Sequence, residues 1–259
     1  AAIVGAAAVH LENSDSSEII NTVIHGNAGR QGVYVYSSDN VMLWALTVTQ
    51  NTDEGIYLRS NVNAYVAHSF IAYNGQQGIY ADTGNTDLVL ADNIVVHNQE
   101  EGIFFEKSHT APSVLRNVIT ANVKSGITLK ANINNTTIKQ NHVTNNGECG
   151  IYCGDPSQGD SNGSNILNNV IADNAEGGIC IANSENQKIN NNIIVNNGGA
   201  GVALEGTSSK VANATLQHNT LVSNTIAGAE IGAESTVVLK NNIIASHTVG
   251  VKTIHRTAQ

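Results

Sequence analysis

The sequence predicts an all-β solenoid, a single-stranded parallel β-helix of about ten coils with three short strands per coil. Three observations carry this. A glycine opening an apolar G-Φ-x-Φ stretch returns at Gly32, Gly55, Gly78, Gly102, Gly126, Gly150, Gly178, Gly201, Gly228 and Gly250, at intervals of 22 to 28 residues. Apolar residues alternate within each copy, as in Ile151-Tyr152-Cys153 and Val202-Ala203-Leu204, which is the period of a strand and not of a helix. Asparagines recur in two fixed columns, one of them Asn51, Asn74, Asn98, Asn122 and Asn146, the other Asn93, Asn117, Asn141 and Asn169.

Each copy begins with an apolar patch, for example Val41-Met42-Leu43, Leu88-Val89-Leu90 or Ile166-Leu167. A second strand follows, centred on Ile24, Val48, Ile71, Val95, Ile119 or Val143. The glycine then opens the third. One such coil cannot bury its own apolar face, so stability is a sum over neighbouring coils. At ~4.8 Å per coil the rod is roughly 50 Å long. The asparagines are expected to supply the left-handed or bridge backbone that a corner needs and to join through their amides into a ladder. The glycines are expected where the corner needs positive φ or close backbone approach. Longer intervals mark loops at Ala81–Asp87, Gly154–Ser164 and Glu205–Ser209 that wall a groove.

One domain over 1–259 is expected. The chain begins and stops in mid-pattern, so it reads as lacking one or both end caps, which makes it a fragment with flanking domains missing or a unit that self-associates end to end. A net charge of -9 without a basic cluster excludes nucleic acid as a partner. No apolar run approaches the ~20 residues of a membrane span. Cys149, Cys153 and Cys180 form no disulfide framework and read as buried thiols, with a Cys149–Cys180 or Cys153–Cys180 bridge as the alternative. The histidines fall at outward or turn positions in different registers and make no metal triad.

Over residues 8–253 these copies resemble the repeats of the pectate-lyase-like superfamily. That resemblance implies a right-handed helix and a role like that of polysaccharide lyases, hydrolases, epimerases or the carbohydrate-binding/sugar-hydrolase (CASH) domains, outside the cell or at its surface. The family's catalytic motifs are not carried over intact. Asn51-Thr52-Asp53 matches the N-x-D of polygalacturonases but falls on the repeat's own asparagine. Asp155-Pro156-Ser157-Gln158 lacks the His and Glu of the epimerase D-P-H-E, and the R-x-P-x-x-R of pectate lyases is absent.

Chemistry must come from side chains that point outward. In G-Φ-x-Φ these are x and the residue after the second Φ. The first column contains Tyr34, Tyr57, Tyr80, Phe104 and Tyr152, with Tyr36 beside it, so six of the chain's ten Tyr and Phe gather on one face. They read as a sugar-stacking platform, or as tyrosines stacking on their own copies in adjacent coils. The second column places Arg59, Asp82, Glu106 and Lys130 on successive coils. Asp82 and Glu106 suit the acid and nucleophile or base of a glycosidase. For a uronate lyase or epimerase, Asp53, Glu54, Glu100 and Glu101 are the expected oxygen ligands of a Ca²⁺ cofactor, with Arg59, Lys124 or Lys130 as neutraliser or base. The alternatives are an uncatalytic polysaccharide-binding protein, or a structural or adhesive surface protein whose alternating charges only solubilise a sheet.

Overall fold

The computed structural model describes residues 6–155 and 160–254. The greater part of the D-P-H-E-like motif, Pro156 to Gln158, and His255 lie outside the described residues. Among the described residues three parallel sheets run the length of the molecule. The first has eleven strands, from Val9–Glu12 to Val249–Thr253. The second has ten, from Glu18–Ile20 to Ser235–Lys240, and the third ten, from Val23–His25 to Ile243–Ala245. Every strand pairs with the one a coil further on, in the register the repeats predict: Ile79 meets Ile103, and Ile103 meets Ile127.

The inner faces of the three sheets share one core. Val95, Ile119 and Val143 come from the third sheet, Leu90, Val114 and Ile138 from the second, and Ile103, Phe105, Ile127 and Leu129 from the first. All ten are fully buried. Like stacks on like, so β-branched side chains pack against copies of themselves along the axis, where strand propensity and core packing agree.

Both asparagine columns form ladders. Asn98 Nδ2 donates to Asn122 Oδ1 at 3.0 Å and Asn122 Nδ2 to Asn146 Oδ1 at 3.1 Å. In the other column Asn93 donates to Asn117 at 3.0 Å and Asn117 to Asn141 at 3.1 Å. The backbone role expected of these residues is corrected. The left-handed turn residue is the one before the ladder asparagine: Gln50, Tyr73, His97 and Ala121 have φ of 54° to 57°. The asparagine must turn its amide inward to bond the neighbouring coil, so the reversal happens one position earlier. Left-handed backbone costs a residue such as Ala121 about 1–2 kcal/mol, which the saturated ladder beside it offsets. A third, shorter ladder joins Ser38, Asn61 and Asn85. It stops where the strands Ile103–Thr110 and Ile127–Asn134 run straight through that corner.

The regular spacing of glycine reflects close approach and not positive φ. A Cβ at Gly102 would stand 2.8 Å from Asn122 Nδ2 and from the Gly126 carbonyl oxygen.

Three other expectations change. Cys149 and Cys180 are joined in a disulfide across neighbouring coils, with Cα atoms 6.3 Å apart, while Cys153 is a buried free thiol. Cys180 lies in the outward column and Cys149 precedes Gly150, so both project to the same outer surface, whereas Cys153 points into the core. His109 is not at an outward position. It is buried, with Nε2 3.1 Å from the Ala81 carbonyl oxygen and its ring edge-on to Phe105. The loop expected from Ala81 starts later, because the strand Ile79–Thr83 continues through Thr83.

Candidate functional site

Strand pairing puts Tyr34, Tyr57, Tyr80, Phe104, Thr128, Tyr152 and Cys180 on consecutive rungs of the outer face of the first sheet. The rings stack on each other. Tyr34 and Tyr57 have centroids 4.9 Å apart and planes 21° apart; Tyr57 and Tyr80 are 5.0 Å apart; Tyr80 and Phe104 are 5.4 Å apart and nearly parallel at 7°. The self-stacking expectation therefore holds for Tyr34 on Tyr57 and for Tyr80 on Phe104, while Tyr57 and Tyr80 meet at a tilt of 42°. Tyr36 lies outside the stack, under the Arg59 guanidinium at 5.6 Å. Tyr152 is separated from Phe104 by Thr128.

Arg59, Asp82, Glu106 and Lys130 are brought together, but as two ion pairs. Arg59 Nε lies 3.6 Å from Asp82 Oδ2, and Lys130 Nζ 2.8 Å from Glu106 Oε1. The tyrosines below complete the arrangement. Tyr57 donates its hydroxyl to Asp82 at 2.5 Å, and Tyr80 to Glu106 at 3.3 Å. Burial first, then the carboxylates they serve, push both phenols above their ordinary value.

A groove of about 770 Å³ opens beside this row, from Glu54 and Tyr57 across Phe104, Thr128 and Lys130 to Tyr152 and Asp155. Its second wall is made by the column that precedes the glycines, here Glu54, Gln77, Glu101, Ser125 and Cys149, with Gln31 one rung further along. Gln31 donates to Glu54 and Gln77 to Glu101, each at 3.0 Å. Gln77 also donates to Glu100. Glu54 and Glu101 are each only 7% exposed. Burial lifts both carboxyls above the ordinary range, against the hydrogen bonds that hold it down. Lys124 stands 3.4 Å from Glu100 and 3.8 Å from Glu101. Its own burial would weaken its hold on a proton, but the two carboxylates outweigh that and raise its pKa.

The four carboxylates expected to hold Ca²⁺ are not gathered into a ligand set. Among the described residues no group of three or more His, Cys, Asp or Glu is arranged to hold a metal ion. Asp53 faces Arg30 at 3.9 Å, Glu54 is engaged by Gln31, and the Lys124 ammonium occupies the place a cation would take between Glu100 and Glu101.

Sequence reasoning found the aromatic and charged columns but missed Gln31 and Gln77, whose alternation with Glu54 and Glu101 was readable in the pre-glycine column. It also missed that Asp155, Glu176 and the Cys149 sulfur reach the same groove.

Solved structures with a similar fold include the periplasmic alginate epimerase AlgG, at 15% identity and a TM-score of 0.64, covering 95% of this chain and 73% of that one. The Azotobacter vinelandii mannuronan C-5 epimerase AlgE6 A-module matches at 14% identity and 0.62, covering 96% and 81%. Pectate lyase Pel9A matches at 13% and 0.57, covering 81% and 53%. At these identities the likeness is one of fold. No curated protein sequence matches the chain. The family model for the right handed beta helix region matches residues 7–159 and 157–259. With its repeats stacked as three parallel sheets, the chain belongs to the right-handed β-helix family.

Proposed function

We propose that the groove on the first sheet binds and cleaves a polysaccharide, and that the protein works outside the cytoplasm. The observation that carries this is the groove itself, lined both by rings of the aromatic stack and by the buried, hydrogen-bonded carboxyls of Glu54 and Glu101. Support from fold comes from the β-helices of similar structure, which include alginate epimerases and a pectate lyase. The Cys149–Cys180 disulfide fits an oxidising compartment.

Hydrolysis is the reaction the carboxyls suit best. Glu54 and Glu101 lie two rungs apart in one column, about 9.6 Å at ~4.8 Å per rung. That is just beyond the ~6.5–9.5 Å that inverting glycosidases use to admit a water between acid and base, with Gln77 on the rung between them. Burial keeps a proton on such a carboxyl at higher pH than usual, as a general acid requires. Asp82 and Glu106, the pair expected from the second column, instead serve as orienting groups for Tyr57 and Tyr80, and Arg59 and Lys130 as their counter-ions.

The test is a panel of neutral and acidic polysaccharides, with and without chelator, followed by reducing ends and by the absorbance of unsaturated products. Reducing ends without unsaturated product, lost in Glu101→Gln and Glu54→Gln and reduced in Asp82→Ala, Glu106→Ala and Arg59→Ala, are expected. Unsaturated product would replace hydrolysis by elimination. Binding and turnover untouched in all five variants would place the site elsewhere.

A further inference from the structure

The outer face of the third sheet carries no charge. Each of its ten strands, from Val23–His25 to Ile243–Ala245, turns its middle residue inward and the residue on either side outward. None of these twenty outward positions is Asp, Glu, Lys or Arg. The other two sheets do carry charge outside, such as Glu106 and Lys130 on the first and Lys139 and Lys188 on the second. The leading column of the third sheet is also apolar. It contains Val23, Phe70, Ile94, Val118, Ile193 and Ile243, which are 38% to 71% exposed. They are six of the seventeen large apolar side chains exposed among the described residues, so exposure is concentrated on this line. The trailing column stands lower: Phe70 is followed outward by Ala72, Ile94 by Val96 and Ile243 by Ala245.

An uncovered apolar strip of this length marks an interface. We propose that it is covered by the same face of a second copy of the chain, so that two β-helices pack side by side with parallel axes. Charge, area and shape each favour that occupant. With a net charge of -9, two copies repel where charged faces meet, and of the three sheets only the third lets them meet without opposing charges. Ten rungs at ~4.8 Å make the strip ~48 Å long, and three strand residues with the corner residue that follows span ~13 Å. The resulting area of roughly 600 Å² is at the lower end of what each partner buries in a stable interface. That corner column adds a single charge, Asp173. A two-fold axis parallel to the rods sets the leading column of each copy against the trailing column of the other, rung by rung. Large side chains such as Phe70 and Ile243 then fall over an alanine of the same rung, whereas antiparallel rods would set tall column against tall column. The groove on the first sheet lies outside this interface, so the dimer is independent of what that groove binds.

Sedimentation equilibrium over a dilution series and small-angle scattering read the outcome. The native chain is expected at twice its monomer mass, in a particle wider than the single rod but still roughly 50 Å long. Ile94→Lys sets two like charges into the interface and should weaken association at least a hundredfold, with circular dichroism unchanged. Val238→Lys puts the same charge on an exposed position of the second sheet and should leave association as it is. If Ile94→Lys does not fold, Phe70→Ser takes its place and should weaken association at least tenfold. A monomer at every concentration overturns the proposal and hands the face to a different occupant. A dimer left intact by Ile94→Lys, or by Phe70→Ser where that variant is used, overturns it as well. So does a particle of doubled length, which is end-to-end stacking.

Discussion

Truncating Asn122 tests how much of this fold rests on its ladders. Asn122 is 2% exposed and its amide makes four hydrogen bonds. Oδ1 accepts from the Asn98 backbone N–H at 3.1 Å and from Asn98 Nδ2 at 3.0 Å, while Nδ2 donates to Asn146 Oδ1 at 3.1 Å and to the Val95 carbonyl at 3.2 Å. Asn122→Ala removes all four. Asn98 Nδ2 keeps the Ile71 and Val96 carbonyls at 3.3 Å, but the Asn98 N–H is left buried without its partner. An orphaned buried donor costs about 1–3 kcal/mol, and each of the other three bonds is worth about 0.5–1.5 kcal/mol net. The expected loss is therefore about 5 kcal/mol, read by urea denaturation. Asn122→Asp tests the polarity of the ladder at constant shape. It keeps both acceptor contacts but turns an oxygen toward Asn146 Oδ1 and the Val95 carbonyl, so it should be at least as damaging as alanine. Val123→Ala, at a side chain 54% exposed, should change stability by less than about 0.5 kcal/mol. A loss below about 1.5 kcal/mol for Asn122→Ala, or a native-like Asn122→Asp, refutes the reasoning.

Three further outcomes are expected. Because burial raises the Glu54 and Glu101 carboxyls above 4.5, their contribution to stability is complete below that pH and is lost as pH rises through the raised folded values; Glu101→Gln should accordingly raise Tm at pH 7 and leave it unchanged near pH 4. Burial lowers His109 below 6.5, so stability present above that pH is lost as pH falls through the depressed value, and His109→Phe should flatten the slope of unfolding free energy between pH 7 and 5. Reducing Cys149–Cys180, which spans 31 residues, should cost about 3.5 kcal/mol in urea unfolding by the loop-entropy relation, while Cys153, with its thiol pushed up to about 12, stays unreactive to thiol reagents until the chain unfolds.

The coil was legible because each of its parts repeats. Val95, Asn98, Gly102 and Ile103 have counterparts about 24 residues away that must occupy the same environment, so one sequence states the same constraint about ten times. The site was legible only in part. The outward columns follow from strand alternation, which correctly placed Tyr57, Tyr80 and Phe104 on one face and Arg59, Asp82, Glu106 and Lys130 beside them. Alternation says which side chains share a face. It does not say which of them bond to each other, and so it offered Asp82 and Glu106 as a free acid–base pair although each is held by a tyrosine and a cation.

The same division holds for the protein as a whole. The sequence by itself determined the period, the three strands, the stacking register and the residues facing out, since a period-2 strand inside a 24-residue coil leaves no other assignment that buries the apolar set. Tertiary structure decided that neighbouring rings of the first sheet would stack on one another. It also decided that Cys149 and Cys180 would meet, and that Glu54 and Glu101 would be buried enough to hold protons more tightly. Those outcomes depend on side-chain rotamers and on the distance across coils, which a repeat pattern does not encode.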